Sequence, residues 1–184
     1  MSAPKWLLPL GVVAAATLCS PHAQAETYFT TEQVQKALFP EASAFEPVTF
    51  QLTDAERAAL SKVAKTRTPL PEKTLWRVKK GTDTIGTFVV DEVYGKHEFI
   101  TYAVALKPDG AVRGLEVMVY RETYGGQIRD AKWRTQFVGK TNGAPLALDQ
   151  DIVNISGATM SCLHVAEGVK RLLALHAMVL KSKV

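Results

Sequence analysis

The sequence predicts an α+β fold: an antiparallel β-sheet meander flanked by helices, with a helix at the C-terminal end. Three observations predict it. Between Leu75 and Tyr120, four segments rich in β-branched and aromatic residues are separated by short turn signals. Ahead of that block, Thr30 with Gln33 and Thr53 with Glu56 have the spacing of helix capping boxes. Behind it, Val165, Val169, Leu172, Leu173 and His176 recur at intervals that fit one face of a helix.

The 184-residue chain opens with Lys5, an apolar run from Trp6 to Leu18, and Ala23-Gln24-Ala25. A basic start, a short apolar core and an Ala-x-Ala end read as a secretory signal peptide cleaved after Ala25. The apolar run falls well short of the ~20 residues that span a bilayer. Leu18 stands before Cys19 where a lipid-attachment signal has a small residue. Residues 26–184 are then expected to form a single domain, a length sufficient to bury a core. The net charge is +4, with acids and bases interspersed. That pattern does not argue for nucleic acid and is compatible with a weakly acidic partner. Cleavage would leave Cys162 as the sole cysteine, so an intramolecular disulfide is excluded. There is no Cys-x-x-Cys, and His97, His164 and His176 are not closely spaced, so no metal site is expected.

A first helix should start after Thr30, with Val34, Ala37 and Leu38 as its apolar stripe, and stop at Pro40. Phe45 to Leu52 reads as an extended link or strand. A second helix should run from Asp54 to about Ala64, and Lys65 to Glu72, with Pro69 and Pro71, as an exposed loop. Leu75–Val78, Thr84–Val93, His97–Leu106 and Val112–Tyr120 are the four strands, with Lys80-Gly81-Thr82-Asp83 and Pro108-Asp109-Gly110 as turns. Near-continuous apolar runs such as Phe88-Val89-Val90 imply helices on both faces of parts of the sheet. His97 reads as a partly buried structural histidine. Trp133 and Phe137, four apart, read as core contacts on a short helix.

From Leu146 to Ile155 a short extended segment should lead into a helix N-terminus at Ser156-Gly157-Ala158-Thr159. Unpaired N–H groups and the helix dipole favour a phosphate there. The hydroxyls of Ser156, Thr159 and Ser161 are able to cap the helix, hydrogen-bond a phosphate or accept one covalently. Cys162, three residues past Thr159, lies on about the same side of the helix. It reads either as a redox-active thiol or as a buried small residue, the commoner case.

Ser156-Gly157-Ala158-Thr159-Met160-Ser161, followed by Val165 and Val169-Lys170, resembles the flavinylation motif of the FMN-binding domain family. That family includes periplasmic domains of the Rnf and Nqr electron-transfer complexes and of NosR-type regulators. Glu122-Thr123-Tyr124-Gly125-Gly126, then Trp133 and Phe137-Val138-Gly139-Lys140, is similar to a second family segment. There, Tyr124 replaces a proline and the spacing between the glycines is one residue shorter. The family also often has Asp three residues before the motif serine, where this chain has Val153; Asp151 is the nearest acid.

The resemblance implies an exported FMN-carrying electron-transfer protein located in the periplasm. It implies covalent FMN, linked by a phosphoester to Thr159, and attachment by a flavin transferase that uses FAD as donor. It further implies redox partner proteins in the periplasm or membrane. Ser156, Gly157, Ala158 and Ser161 would surround the phosphate. Glu122, Thr123, Tyr124 and Gly125 would form a wall for the flavin ring, with Tyr124 stacking on it or covering its edge. No separate catalytic constellation is visible. Two other readings stay open: a reductase that binds FMN reversibly and uses His97, His164 or Cys162, and a sensory or interaction domain without cofactor.

Overall fold

A computed structural model describes residues 26–64 and 74–182. The expected signal peptide through Ala25 and the expected loop from Lys65 to Glu72 lie outside the described residues.

Both capping boxes form. Helix α1 (Thr31–Leu38) starts where Thr30 Oγ1 accepts from the Gln33 N–H while Gln33 Oε1 accepts from the Thr30 N–H. Helix α2 (Asp54–Val63) repeats the arrangement with Thr53 and Glu56. Each box satisfies two N–H groups that a helix start otherwise leaves open.

The meander is strands β3 (Leu75–Lys80), β4 (Asp83–Tyr94), β5 (Phe99–Leu106) and β6 (Val112–Tyr120), each antiparallel to the next. Two short strands complete it: one at the N-terminal end that the sequence pattern did not mark, and one that overlaps the start of the Phe45–Leu52 segment expected as an extended link or strand. Strand β1 (Glu26–Thr27) pairs with β6 and β2 (Ala44–Pro47) pairs with β3, giving a six-stranded sheet in the order β1-β6-β5-β4-β3-β2.

Side chains alternate across a strand, and here both sets are buried. On one face Val89, Tyr102, Val104, Leu106, Leu115 and Val117 pack with a long C-terminal helix, α4 (Thr159–Met178). On the other face Phe88, Ala103, Ala105 and Met118 pack with Val34 and Phe39 at α1. This is why β4 and β5 read as near-continuous apolar runs. Helix α4 is buried beyond the expected stripe, with Ala166, Arg171, Ala174 and Leu175 also inside, because it has the sheet on one side and α2 on the other.

Between β6 and α4 the chain makes a 3-10 turn at Gly126–Arg129, a one-turn helix α3 (Ala131–Arg134) and a second 3-10 turn at Thr135–Phe137. Trp133 and Phe137 are core residues in edge-to-face contact at 5.1 Å. The expected extended segment from Leu146 to Ile155 is not a strand. It is a looped stretch with one isolated bridge, Leu148 to Ile152, and left-handed backbone at Leu146 and Asp149. Among the described residues no helix is long and apolar enough to cross a membrane.

Candidate functional site

Three chain segments meet at one end of the sheet: the β4–β5 turn, the exit from β6, and the start of α4. Together they enclose a cleft of about 310 Å³, at the lower end of small-molecule site sizes.

The α4 start explains the small residues of Ser156–Ser161 one by one. The Ala158 N–H donates to the Ile155 carbonyl at 2.9 Å, closing a β-turn with Gly157 at its third position. Gly157 has φ +81 and Ser156 does not share that sign, which makes the turn type II and favours glycine there. Ala158 is the N-cap and contributes no side-chain hydrogen bond, so the expected Ser/Thr cap does not form. Ala158 is small for another reason: it packs on Gly125. That glycine has φ +87, and a Cβ on it would collide with the Ala158 Cβ.

Ser161 is buried, with its Oγ 3.2 Å from Tyr120 Oη. The Tyr120 hydroxyl donates to the Tyr124 carbonyl at 2.5 Å, so Ser161 is the donor to Tyr120. This relay ties α4 to the end of β6 and to the Tyr124 loop. Thr159 is different. It is exposed, lines the cleft, and its hydroxyl has no partner among the described residues.

Glu122 organises the opposite wall. Its Oε1 accepts from the backbone N–H groups of Lys96, His97 and Glu98 at 2.5, 2.7 and 3.1 Å, and its Oε2 lies 3.3 Å from His97 Nδ1. Burial alone would raise the carboxyl pKa, but the three N–H donors and His97 outweigh it and hold it below the ordinary glutamate range. A lowered carboxylate pKa stabilises the fold at pH values above the unfolded-state value and is lost as pH falls through the lowered one. Glu122→Gln should therefore melt lower than wild type near pH 7, and the gap should shrink in acid. Melting curves between about pH 7 and pH 3 check this; a pH-independent gap would show that the carboxylate charge is immaterial.

Glu122, Thr123, Tyr124, Gly157, Ala158, Thr159 and Ser161, all read from the sequence, line the cleft. Gly125 lies beneath it, against Ala158. Ser156 is exposed at the turn and outside the lining. Tyr124 is 74% exposed, leaving its ring free to stack. Gly125→Ala should cost about 2 kcal/mol, from left-handed backbone plus overpacking. Denaturant titration measures it, and a loss below about 0.5 kcal/mol would show that the Gly125–Ala158 contact relaxes freely.

Lys96 also lines the cleft, where no sequence signal places it, together with Met160 of the motif and His97, which only the reductase reading sets beside a flavin. The turn at Gly95–Glu98 gave no such signal, because only the fold brings it against Glu122. His97 is exposed at 69% of its side chain, not partly buried as expected, since it lies in the turn between β4 and β5 at the border of the cleft. His164 lies on another wall of α4, its Nδ1–H donating to the Tyr94 carbonyl.

At Cys162 the commoner reading, a buried small residue, holds. Cys162 faces the core and is fully buried, while Thr159 faces the cleft, because the 60° between them straddles the edge of the packed surface. Burial pushes the thiol pKa up, so it is a packed core group and not a reactive one. Asp151 does not reach the cleft. Its carboxylate takes Lys140 Nζ at 2.8 Å and the N–H groups of Ala147 and Leu146 at 2.8 and 3.3 Å, which holds the left-handed loop in place. Val153 points to solvent, and its backbone is fixed by Gln136 at 2.7 Å and Trp133 at 2.8 Å.

The cleft is suited to an anion. Lys96 and His97 border it, the charge of Glu122 is committed to backbone N–H groups, and α4 presents a start with no side-chain cap. Among the described residues no cluster of His, Cys, Asp and Glu could hold a metal ion.

No curated protein matches the chain. The crystal structure of Shewanella oneidensis NqrC aligns at 18% identity with a TM-score of 0.46, over 77% of this chain and 70% of that one. The model of the FMN-binding domain matches residues 95–174, a span that begins at the β4–β5 turn, contains the Glu122 and Ser156–Ser161 walls of the cleft, and ends within α4. This segment, and with it the cleft, is similar to the FMN-binding domain family.

Proposed function

We propose that the protein is an exported electron carrier, with FMN joined through its phosphate to Thr159 Oγ1. The observation that carries this reading is the contrast within the motif. Gly157, Ala158 and Ser161 are each accounted for by turn geometry, packing or hydrogen bonding, whereas Thr159 presents an unpartnered hydroxyl to the cleft.

The residues present suit the cofactor. A Cβ added at Gly157 would meet nothing within 4 Å, so the turn leading into Thr159 is open on that side, and Thr159 itself lines the cleft. The first N–H groups of α4 and the ammonium of Lys96 would balance the phosphate charge. Tyr124 would cover one side of the ring system. Bound FMN supplies exchange of one or two electrons; the chain supplies attachment, orientation and local charge. Attachment requires a flavin transferase with FAD as donor. In it the Thr159 hydroxyl would lose its proton and bond to the FMN phosphorus of FAD as the pyrophosphate bond breaks and AMP leaves. A covalent link suits an exported protein, whose loosely held cofactor would diffuse away. Redox partners in the periplasm or membrane complete the reading.

Intact mass of the denatured protein, after co-expression with the transferase, tests it. One FMN phosphoester is expected. An unmodified mass with yellow native protein would replace the reading by reversible FMN binding. An unmodified mass with colourless protein would replace it by a cofactor-free module.

A further inference from the structure

A second and larger cavity, of about 670 Å³, lies on the other side of Met160. Met160 and Lys96 line both cavities, so a single side-chain layer separates them. We infer that this cavity is a separate binding site for a planar organic anion: an aromatic body carrying one carboxylate or sulfonate.

The walls set the body of the ligand. Val63 at the end of α2, Val93 and Tyr94 at the end of β4, and Met160 and Leu163 on α4 line the cavity. Val63, Tyr94 and Met160 are exposed at 40, 43 and 41%. Three large apolar groups facing one concave space lose water contact together when a flat apolar ligand enters, at about 25 cal/mol per Å² covered. The wall is fixed, because the His164 ring donates to the Tyr94 carbonyl and so ties α4 to the strand end.

The rim sets the charge. Lys62 and Lys96 border the cavity and form no ion pair among the described residues, and Lys170 meets Glu167 at 3.3 Å. Two uncompensated ammonium groups over an apolar floor favour one acidic group at the edge of an apolar ring. Val63, Val93, Tyr94 and Leu163 line this cavity and not the Thr159 cleft, whereas Met160 and Lys96 are shared between the two.

The probe is 1-anilinonaphthalene-8-sulfonate, with the uncharged N-phenyl-1-naphthylamine as control, titrated by fluorescence into full-length Thr159→Ala protein. That variant separates the test from any bound cofactor. Saturable one-site binding of the sulfonate is expected. Lys62→Glu should weaken it about tenfold, Lys62→Arg should leave it unchanged, and the uncharged control should change less than twofold. Circular dichroism melts confirm that the variants remain folded. In NMR titrations the largest amide shifts should fall at Val63, Leu163 and Lys170. Equal sulfonate affinity in Lys62→Glu, displacement of the probe by free FMN, or shifts centred on Tyr124 and Gly157 would each overturn the inference. An absence of sulfonate binding would do so as well.

Discussion

Thr159→Ala protein, co-expressed with the flavin transferase and denatured, should have the mass of the bare chain, whereas wild type should carry one FMN. Thr159→Ser should retain the adduct at reduced occupancy, because the hydroxyl stays at the same backbone position with one methyl group fewer. The effect is all-or-none in mass and nearly silent in stability. Thr159 is exposed, caps nothing, and bonds to nothing among the described residues, so its loss should fall within about 0.5 kcal/mol of wild type. That separation makes the test decisive: a folded, unflavinylated protein assigns the bond, not the fold, to Thr159. Ser156 and Ser161 are the competing hydroxyls. Ser161 is buried and donates to Tyr120, so it cannot reach the transferase without unfolding the helix start. Ser156 is exposed but outside the cleft. Persistence of the full FMN mass in Thr159→Ala would move attachment to one of these and refute the assignment.

The parts of the fold legible in the sequence were those with local causes. Both capping boxes, the two turns centred on Gly81 and Gly110, and the four meander strands follow from short-range spacing, and each forms where expected. Strand β1 is two residues long and β2 four. Neither has a period to read, and both exist because longer strands offer them an edge. The site divides in the same way. The Ser156–Ser161 turn announces itself through residue type. The partnership of Glu122 with the 96–98 backbone does not, because it joins positions about 25 apart that only sheet pairing brings together. Helical periodicity placed Cys162 near the face of Thr159, but the edge of the packed surface runs between them. A 60° difference on a helix is read correctly only when the neighbours are known.

Arg171→Met should lower stability by about 4 kcal/mol, the largest loss expected for any one substitution considered. For a chain of this size that corresponds to a fall in Tm of about 10 °C. Arg171 is 4% exposed and its guanidinium grips Asp91 of β4 through both carboxylate oxygens, at 2.9 and 2.7 Å. Tyr102 of β5 donates to the same carboxylate at 2.6 Å. Burial pushes the Asp91 pKa upward against the pull of Arg171 and Tyr102. With the guanidinium gone, Asp91 is left as a buried acid that must take up a proton or remain unpaired. Asp91→Leu combined with Arg171→Met and Tyr102→Phe removes both charges and the hydroxyl that donated to Asp91, and should recover most of the loss, as apolar replacements of buried pairs do. The pair then has a use other than stability. It joins β4 and β5 to α4 at one register, and Arg171 lies twelve residues, or about 18 Å, along the helix from Thr159. A helix free to slide by a fraction of a turn would move Thr159 relative to Glu122 and Tyr124. The triple variant should accordingly regain its Tm yet take up less FMN than wild type under the same co-expression. Full recovery of both would leave the pair no role in fixing the register, and a single-variant Tm within about 3 °C of wild type would show that the buried charge finds water.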